Sequence, residues 1–189
     1  MKNTKKMVAL LLALVLMLGC VIGGTIAYLI DKTTTITNTF TSSDVKITLS
    51  ETAPTDKTAI KMVPGLVIEK NPIVTVAEGS EDCYLFVKVE KENQFDKYMT
   101  YGIAGGWTEL TTGSGIYWRT AKANDSFAIL AGIGTYTNGA VQVIPTIGKT
   151  EMTAANAAKP SLSFTAYAIQ LNNLPEGATA ATAWALING

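Results

Sequence analysis

Tyr84-Leu85-Phe86-Val87-Lys88-Val89-Glu90 decides the fold class of this 189-residue chain. Leu85, Val87 and Val89 alternate with Phe86, Lys88 and Glu90, the period of two that sends successive side chains to opposite faces of a sheet. Upstream, the spacing predicts strands over 37–49, 60–63 and 67–76, the last interrupted by Pro72. Within the first of these, Val45, Ile47 and Leu49 alternate with Lys46 and Thr48. Downstream, strands are expected over 107–110, 115–119, 126–130, 141–147 and 162–170. Pro64-Gly65, Glu78-Gly79-Ser80, Gly105-Gly106, Thr112-Gly113-Ser114-Gly115 and Asn138-Gly139 separate them as turns. Asn138-Gly139 is the strongest hairpin signal, because both residues tolerate the positive φ of a primed turn. Many short strands between turns predict a mainly β chain, a jelly-roll-like antiparallel β-sandwich.

Two segments read as helical. Over 92–101, Phe95, Tyr98 and Met99 fall on one face of a short helix that Gly102 ends. Over 178–187, an alanine-rich run after Pro175 and Gly177 predicts a short C-terminal helix that docks Trp184 and Ile187 on a sheet.

The N terminus has a different character. Lys2, Lys5 and Lys6 precede an uncharged apolar run over 7–22, followed by Gly23-Gly24-Thr25-Ile26-Ala27-Tyr28. This is the layout of an export signal, with Thr25 and Ala27 three and one positions before a cut between Ala27 and Tyr28. The expected organisation is a signal-peptide helix over 1–27 and a single β-sandwich domain over 28–189, secreted to the extracellular matrix or the cell surface. An uncut apolar run could also remain as a membrane anchor, since length alone does not separate the two. Leu18-Gly19-Cys20 approaches a lipidation signal, although Met17 and Leu18 are poor matches to the residues that precede a lipidated cysteine.

Loss of the three signal lysines leaves 12 basic against 15 acidic residues, which argues against a nucleic-acid partner. Cys83 is then the remaining cysteine, so packing rather than a disulfide must hold the domain; acidic Asp82 beside it suits a buried, inert thiol. The chain has no histidine, which removes the usual general base and the commonest metal ligand. Glu78, Glu81 and Asp82 form the densest acidic cluster, but three acids within five residues describe a solvated turn, and the spaced ligands and glycine of a calcium loop are missing. No catalytic, metal or cofactor site follows from this inventory, and an enzyme is not expected. Trp107, Tyr117, Trp118, Tyr136 and Tyr167 could line a carbohydrate or peptide groove, or simply fill and cover a sandwich core.

The stretch from Gly23 to Asp31, then Asn38-Thr39-Phe40-Thr41 and Asp44-Val45-Lys46-Ile47-Thr48-Leu49, resembles the export signal and first mature strand of the TasA/camelysin family, secreted biofilm-matrix and cell-surface proteins of Gram-positive bacteria. Met62-Val63-Pro64-Gly65, Lys70-Asn71-Pro72, Tyr84-Leu85-Phe86-Val87-Lys88-Val89 and Phe164-Thr165-Ala166-Tyr167-Ala168-Ile169-Gln170 extend the likeness along the chain, more loosely in the middle. Leu29-Ile30 stands where a Phe-Thr pair is common, which leaves the bond cut uncertain by a residue or two. The resemblance implies cleavage by a SipW-type signal peptidase, a jelly roll, and assembly into extracellular fibres with a matrix polysaccharide or accessory matrix protein as further partners. The metallopeptidase label given to camelysins does not transfer, because no residues here carry it.

The segment after the cut suits assembly. Thr33-Thr34-Thr35-Ile36-Thr37-Asn38-Thr39-Phe40 is rich in β-branched residues, nearly uncharged and free of Pro and Gly. Such a segment can complete the sheet of a neighbour, with Ile36, Thr37 and Phe40 in the donated strand and Ile36 and Phe40 as its anchors. Alternatively it is the first strand of its own sandwich. A third possibility is a non-fibrous surface module that presents the loops of 102–115 to a glycan or protein.

Overall fold

The computed structural model describes residues 45–52, 62–172 and 174–188, all within the unit Thr37–Gly189. Ala27, Tyr28, Ile36, Thr37 and Phe40, with the signal and the donor segment, lie outside the described residues. Among the described residues no helix is long and apolar enough to cross a membrane.

The chain is mainly β. Its elements are β1 (Ile47–Ser50), β2 (Val67–Glu69), β3 (Ile73–Val76), β4 (Cys83–Glu92), α1 (Phe95–Tyr98), β5 (Met99–Tyr101), β6 (Thr108–Glu109), β7 (Ile116–Ala121), β8 (Ser126–Ala128), β9 (Ala140–Val143), α2 (Lys149–Ala158), β10 (Ser161–Gln170) and α3 (Ala180–Asn188). Every ladder is antiparallel. The strands form three sheets, β1-β3-β8, β2-β9-β5 and β10-β4-β7-β6.

Backbone bonds join the first two sheets into one layer. Ile129 N–H donates to Pro72 O, Ala104 N–H to Ile129 O and Ala131 N–H to Gly102 O, with a bridge between Ile103 and Leu130. The four-stranded sheet packs across this layer, and their shared core holds Ile47, Val74, Val76, Leu85, Val87, Val141 and Val143. The result is an antiparallel sandwich. The chain passes from one layer to the other after β3, β4, β5, β7 and β9, which gives it the rolled path of a jelly-roll-like fold.

β4 is the central strand predicted at 84–90, and both its faces are covered. Leu85 and Val87 point into the core, whereas Phe86 belongs to a second cluster with Tyr84, Trp118, Tyr167 and Ile169 on the opposite face. α3 lies over that cluster: Ala180 and Ala183 are buried there, the Trp184 ring is 5.2 Å from both Phe86 and Tyr167, and Ile187 packs alongside. The C-terminal helix thus docks through Trp184 and Ile187, as its composition predicted. Thr179 Oγ1 accepts from Thr182 N–H at its start, satisfying a backbone donor that the first turn leaves unpaired.

Several boundaries differ from expectation for local reasons. The strand expected over 60–63 is not there at 62 and 63, which enter a turn closed by Leu66 N–H to Val63 O around Pro64. Pro72 divides 67–76 into two strands that join different ladders, since proline cannot donate to either. The strand expected over 141–147 stops at Val143, two residues before Pro145. The helix expected over 92–101 is one turn long, because Met99 is already extended (φ −136°, ψ 157°) and begins β5.

Helix α2 was not foreseen. Glu151 Oε2 accepts from Gly148 N–H at its start, Met152 and Ala155 face inward, and Lys159 ends it at φ +54° ahead of Pro160. Nor is Asn138-Gly139 a primed hairpin: only Gly139 has positive φ (+122°), and the tight turn falls at Gly134 and Thr135, between the mutually bonded Ile133 and Tyr136. Gly139 is needed for a different reason, since a Cβ there would lie 2.5 Å from Lys70 O.

Candidate functional site

Tyr117 and Arg119 are two apart on β7, so both project from the face that pairs in register with core residues Val87 and Leu85. Trp107, Tyr117 and Phe127 are partly buried against the shared core. The Arg119 side chain meets an aromatic residue from the opposite layer and one from the loop before β6, and Tyr117 lines a neighbouring cleft.

Arg119 is the single arginine of the chain. Its guanidinium carbon is 3.4 Å from the Phe127 ring centroid on β8 and 5.5 Å from that of Trp107. The two rings meet edge to face at 6.2 Å, and Trp107 is fixed by its indole Nε1–H donating to Ala128 O at 2.8 Å. The guanidinium tips rest on Gly106, where a Cβ would come within 3.1 Å of Nη1. A side chain there would make the guanidinium shift by a few tenths of an ångström, and the φ of +84° favours glycine independently.

Arg119 Nε is buried with no hydrogen-bond partner. Among the described residues no carboxylate pairs with this side chain. Burial draws its pKa below the usual arginine value, with Asp125 acting weakly in the other direction.

Beside this clasp lies an open cleft of about 340 Å³ lined by Lys91, Asp96, Thr100, Tyr101, Ile103 and Tyr117. Lys91 Nζ pairs with Asp96 Oδ2 at 2.6 Å on its rim. Burial pushes the Tyr101 hydroxyl up to about 12, helped by Tyr117, Asp96 and Glu109, and raises Tyr117 in the same way with Glu109 behind it. Both phenols are therefore neutral hydrogen-bonding groups at physiological pH. Glu109 is occupied in holding the adjoining loop, where its Oε1 accepts from the amides of Gly113 and Gly115.

No family model, curated protein or solved structure matches this chain. What it does must be read from its own residues.

The five aromatic residues singled out in the sequence do not share one groove. Trp118 and Tyr167 lie under α3, Tyr136 sits exposed on the hairpin tip, and only Trp107 and Tyr117 border the clasp and cleft. The acidic cluster is dispersed as well: Glu78 is exposed in a turn, Glu81 accepts from Asn172, and Asp82 lies 3.6 Å from Lys122. Cys83 is fully buried, with its thiol pushed up to about 12 by burial and then by Asp82 and Asp125. Sequence reading missed Arg119 and Phe127. The available signal was a lone arginine on a predicted strand twelve residues after Trp107 and its preceding Gly105-Gly106.

Proposed function

We propose that this chain is an exported structural protein of the extracellular matrix or cell surface that assembles by strand addition after a signal peptidase of SipW type removes its leader. The observation that carries this reading is β10. Over its ten residues, among the described residues, it pairs with β4 alone, so its second edge offers a row of backbone donors and acceptors. β1, an outer strand of the other layer among the described residues, runs close to β10. β10 is thus a strand at whose second edge, unpaired among the described residues, a further strand can add. A strand bearing Ile36, Thr37 and Phe40 could be supplied there by the same chain or by a neighbouring copy. The residue inventory supports the structural role, since a chain without histidine lacks the commonest acid–base group.

Deleting 29–37 from the secreted protein and imaging it by electron microscopy tests the reading, and the intact mass of the secreted species locates the cut. Loss of fibres with a folded monomer retained is expected; undiminished fibres would sink strand donation. A second reading, a binding module of the cell surface, is favoured by the cleft at Tyr101 and Tyr117 and has a separate test.

A further inference from the structure

We propose that Arg119, clasped between Trp107 and Phe127, together with the adjoining cleft at Lys91, Tyr101 and Tyr117, binds the carboxylate-bearing sugars of an acidic polysaccharide. The inference rests on the binding-module reading and is independent of fibre assembly. A guanidinium has five N–H donors, and a chain that buries part of one ordinarily gives it a carboxylate or carbonyl. Here the face of the group is satisfied by Phe127 at 3.4 Å, while no donor has a partner among the described residues. Nε is buried and unsatisfied, the side chain as a whole is half-buried, and Nη1 and Nη2 lie beside Gly106. Two adjacent N–H groups held in a plane by stacking are suited to a carboxylate, which they can grip in bidentate fashion. Pre-organisation by the rings lowers the entropy lost on binding.

The neighbouring surface selects the rest of the ligand. Tyr117 stands two residues along the same face of β7, about 7 Å from Arg119 by strand geometry. It leads into a cleft whose volume of about 340 Å³ accommodates a sugar ring. The cleft is lined by Tyr101, Tyr117, Thr100, Lys91, Asp96 and Ile103, a mainly polar set suited to the hydroxyls of a sugar. Lys91 is ion-paired with Asp96 at 2.6 Å in the same lining, so the positive charge left to meet a carboxylate is that of Arg119. Asp125, the carboxylate that acts on Arg119 through space, is engaged by the backbone N–H of Lys122. An acidic peptide would gain from Arg119 but has less use for the tyrosine-lined cleft, so the acidic sugar is favoured.

The experiment titrates the secreted protein with tetragalacturonate, with a neutral tetrasaccharide and with oligoglutamate, following the Trp107 indole resonance and the affinity by calorimetry. Tetragalacturonate should shift the indole signal and bind more tightly than the neutral sugar. Arg119→Lys should weaken it by about tenfold, because the ammonium cannot stack and grip together, and Tyr117→Phe should weaken it while leaving the clasp intact. Each variant is compared at equal folded fraction by circular dichroism. Equal binding of neutral and acidic sugars, or unchanged affinity in both variants, overturns the proposal and leaves the module reading standing. Tighter binding of oligoglutamate overturns it in favour of a peptide partner. Absence of binding by all three overturns both.

Discussion

The guanidinium carbon of Arg119 lies 3.4 Å from the centroid of the Phe127 ring, joining β7 of the four-stranded sheet to β8 of the opposite layer. An interlayer contact made by a cation on a ring can be isolated by a double-mutant cycle. Arg119→Met and Phe127→Leu each keep apolar bulk at their position. The coupling energy between them should be about 0.5–2 kcal/mol in denaturant unfolding. Additive effects would mean that the stacking contributes no stability.

Phe86 tests the docking of the C-terminal helix. It is fully buried between β4 and Trp184 of α3, so Phe86→Ala should destabilise by about 3–5 kcal/mol. The change should also detach α3, read as new binding of a hydrophobic dye. Leu186 on the same helix is 53% exposed, and Leu186→Ser should alter stability by less than about 0.5 kcal/mol. Similar losses from both would contradict the assigned inner face of α3.

Gly139 and Gly105 form a contrasting pair. A Cβ at Gly139 would meet Lys70 O at 2.5 Å, and the backbone there has φ +122°, whereas a Cβ at Gly105 would meet nothing within 4 Å. Gly139→Ala should cost more than about 2 kcal/mol, through strain and through loss of the Lys70 N–H bond to Gly139 O. Gly105→Ala should be neutral or stabilise by up to about 1 kcal/mol. Melting temperatures that move together would remove the steric explanation.

Stability should fall at alkaline pH. The Cys83 thiol is raised from 9.0 to about 12 and the Tyr101 hydroxyl from 10.0 to about 12, both chiefly by burial. The folded state therefore holds these acids neutral where the unfolded chain ionises them. Their contribution is complete below the unfolded values and is lost as pH rises from 9.0 toward about 12. Urea midpoints should be level from about pH 7 to pH 9 and then decline; a level profile throughout would contradict the burial of both groups. Native Cys83 should also resist alkylation at about pH 8 and react once urea opens the core.

The sequence by itself determined the elements whose signal is local. Alternation at 84–90 marks β4, because a pleated strand sends neighbours to opposite faces whatever lies beyond it. The alanine-rich run bearing Trp184 marks α3, because propensity acts within a few turns. Even so, the sequence did not distinguish the two faces of β4: Phe86 reads as the outward residue of an alternating strand, yet it is as buried as Leu85 because α3 covers it. α2 went unread since only Met152 and Ala155 turn inward and its terminal signals are a glycine and a left-handed lysine. Asn138-Gly139 misled because the glycine answers to Lys70, a residue remote in sequence. Tertiary structure alone decided the site. Trp107, Arg119 and Phe127 come from three separate segments, and their juxtaposition depends on which layer each strand joins, a choice made by non-local pairing that no local pattern encodes.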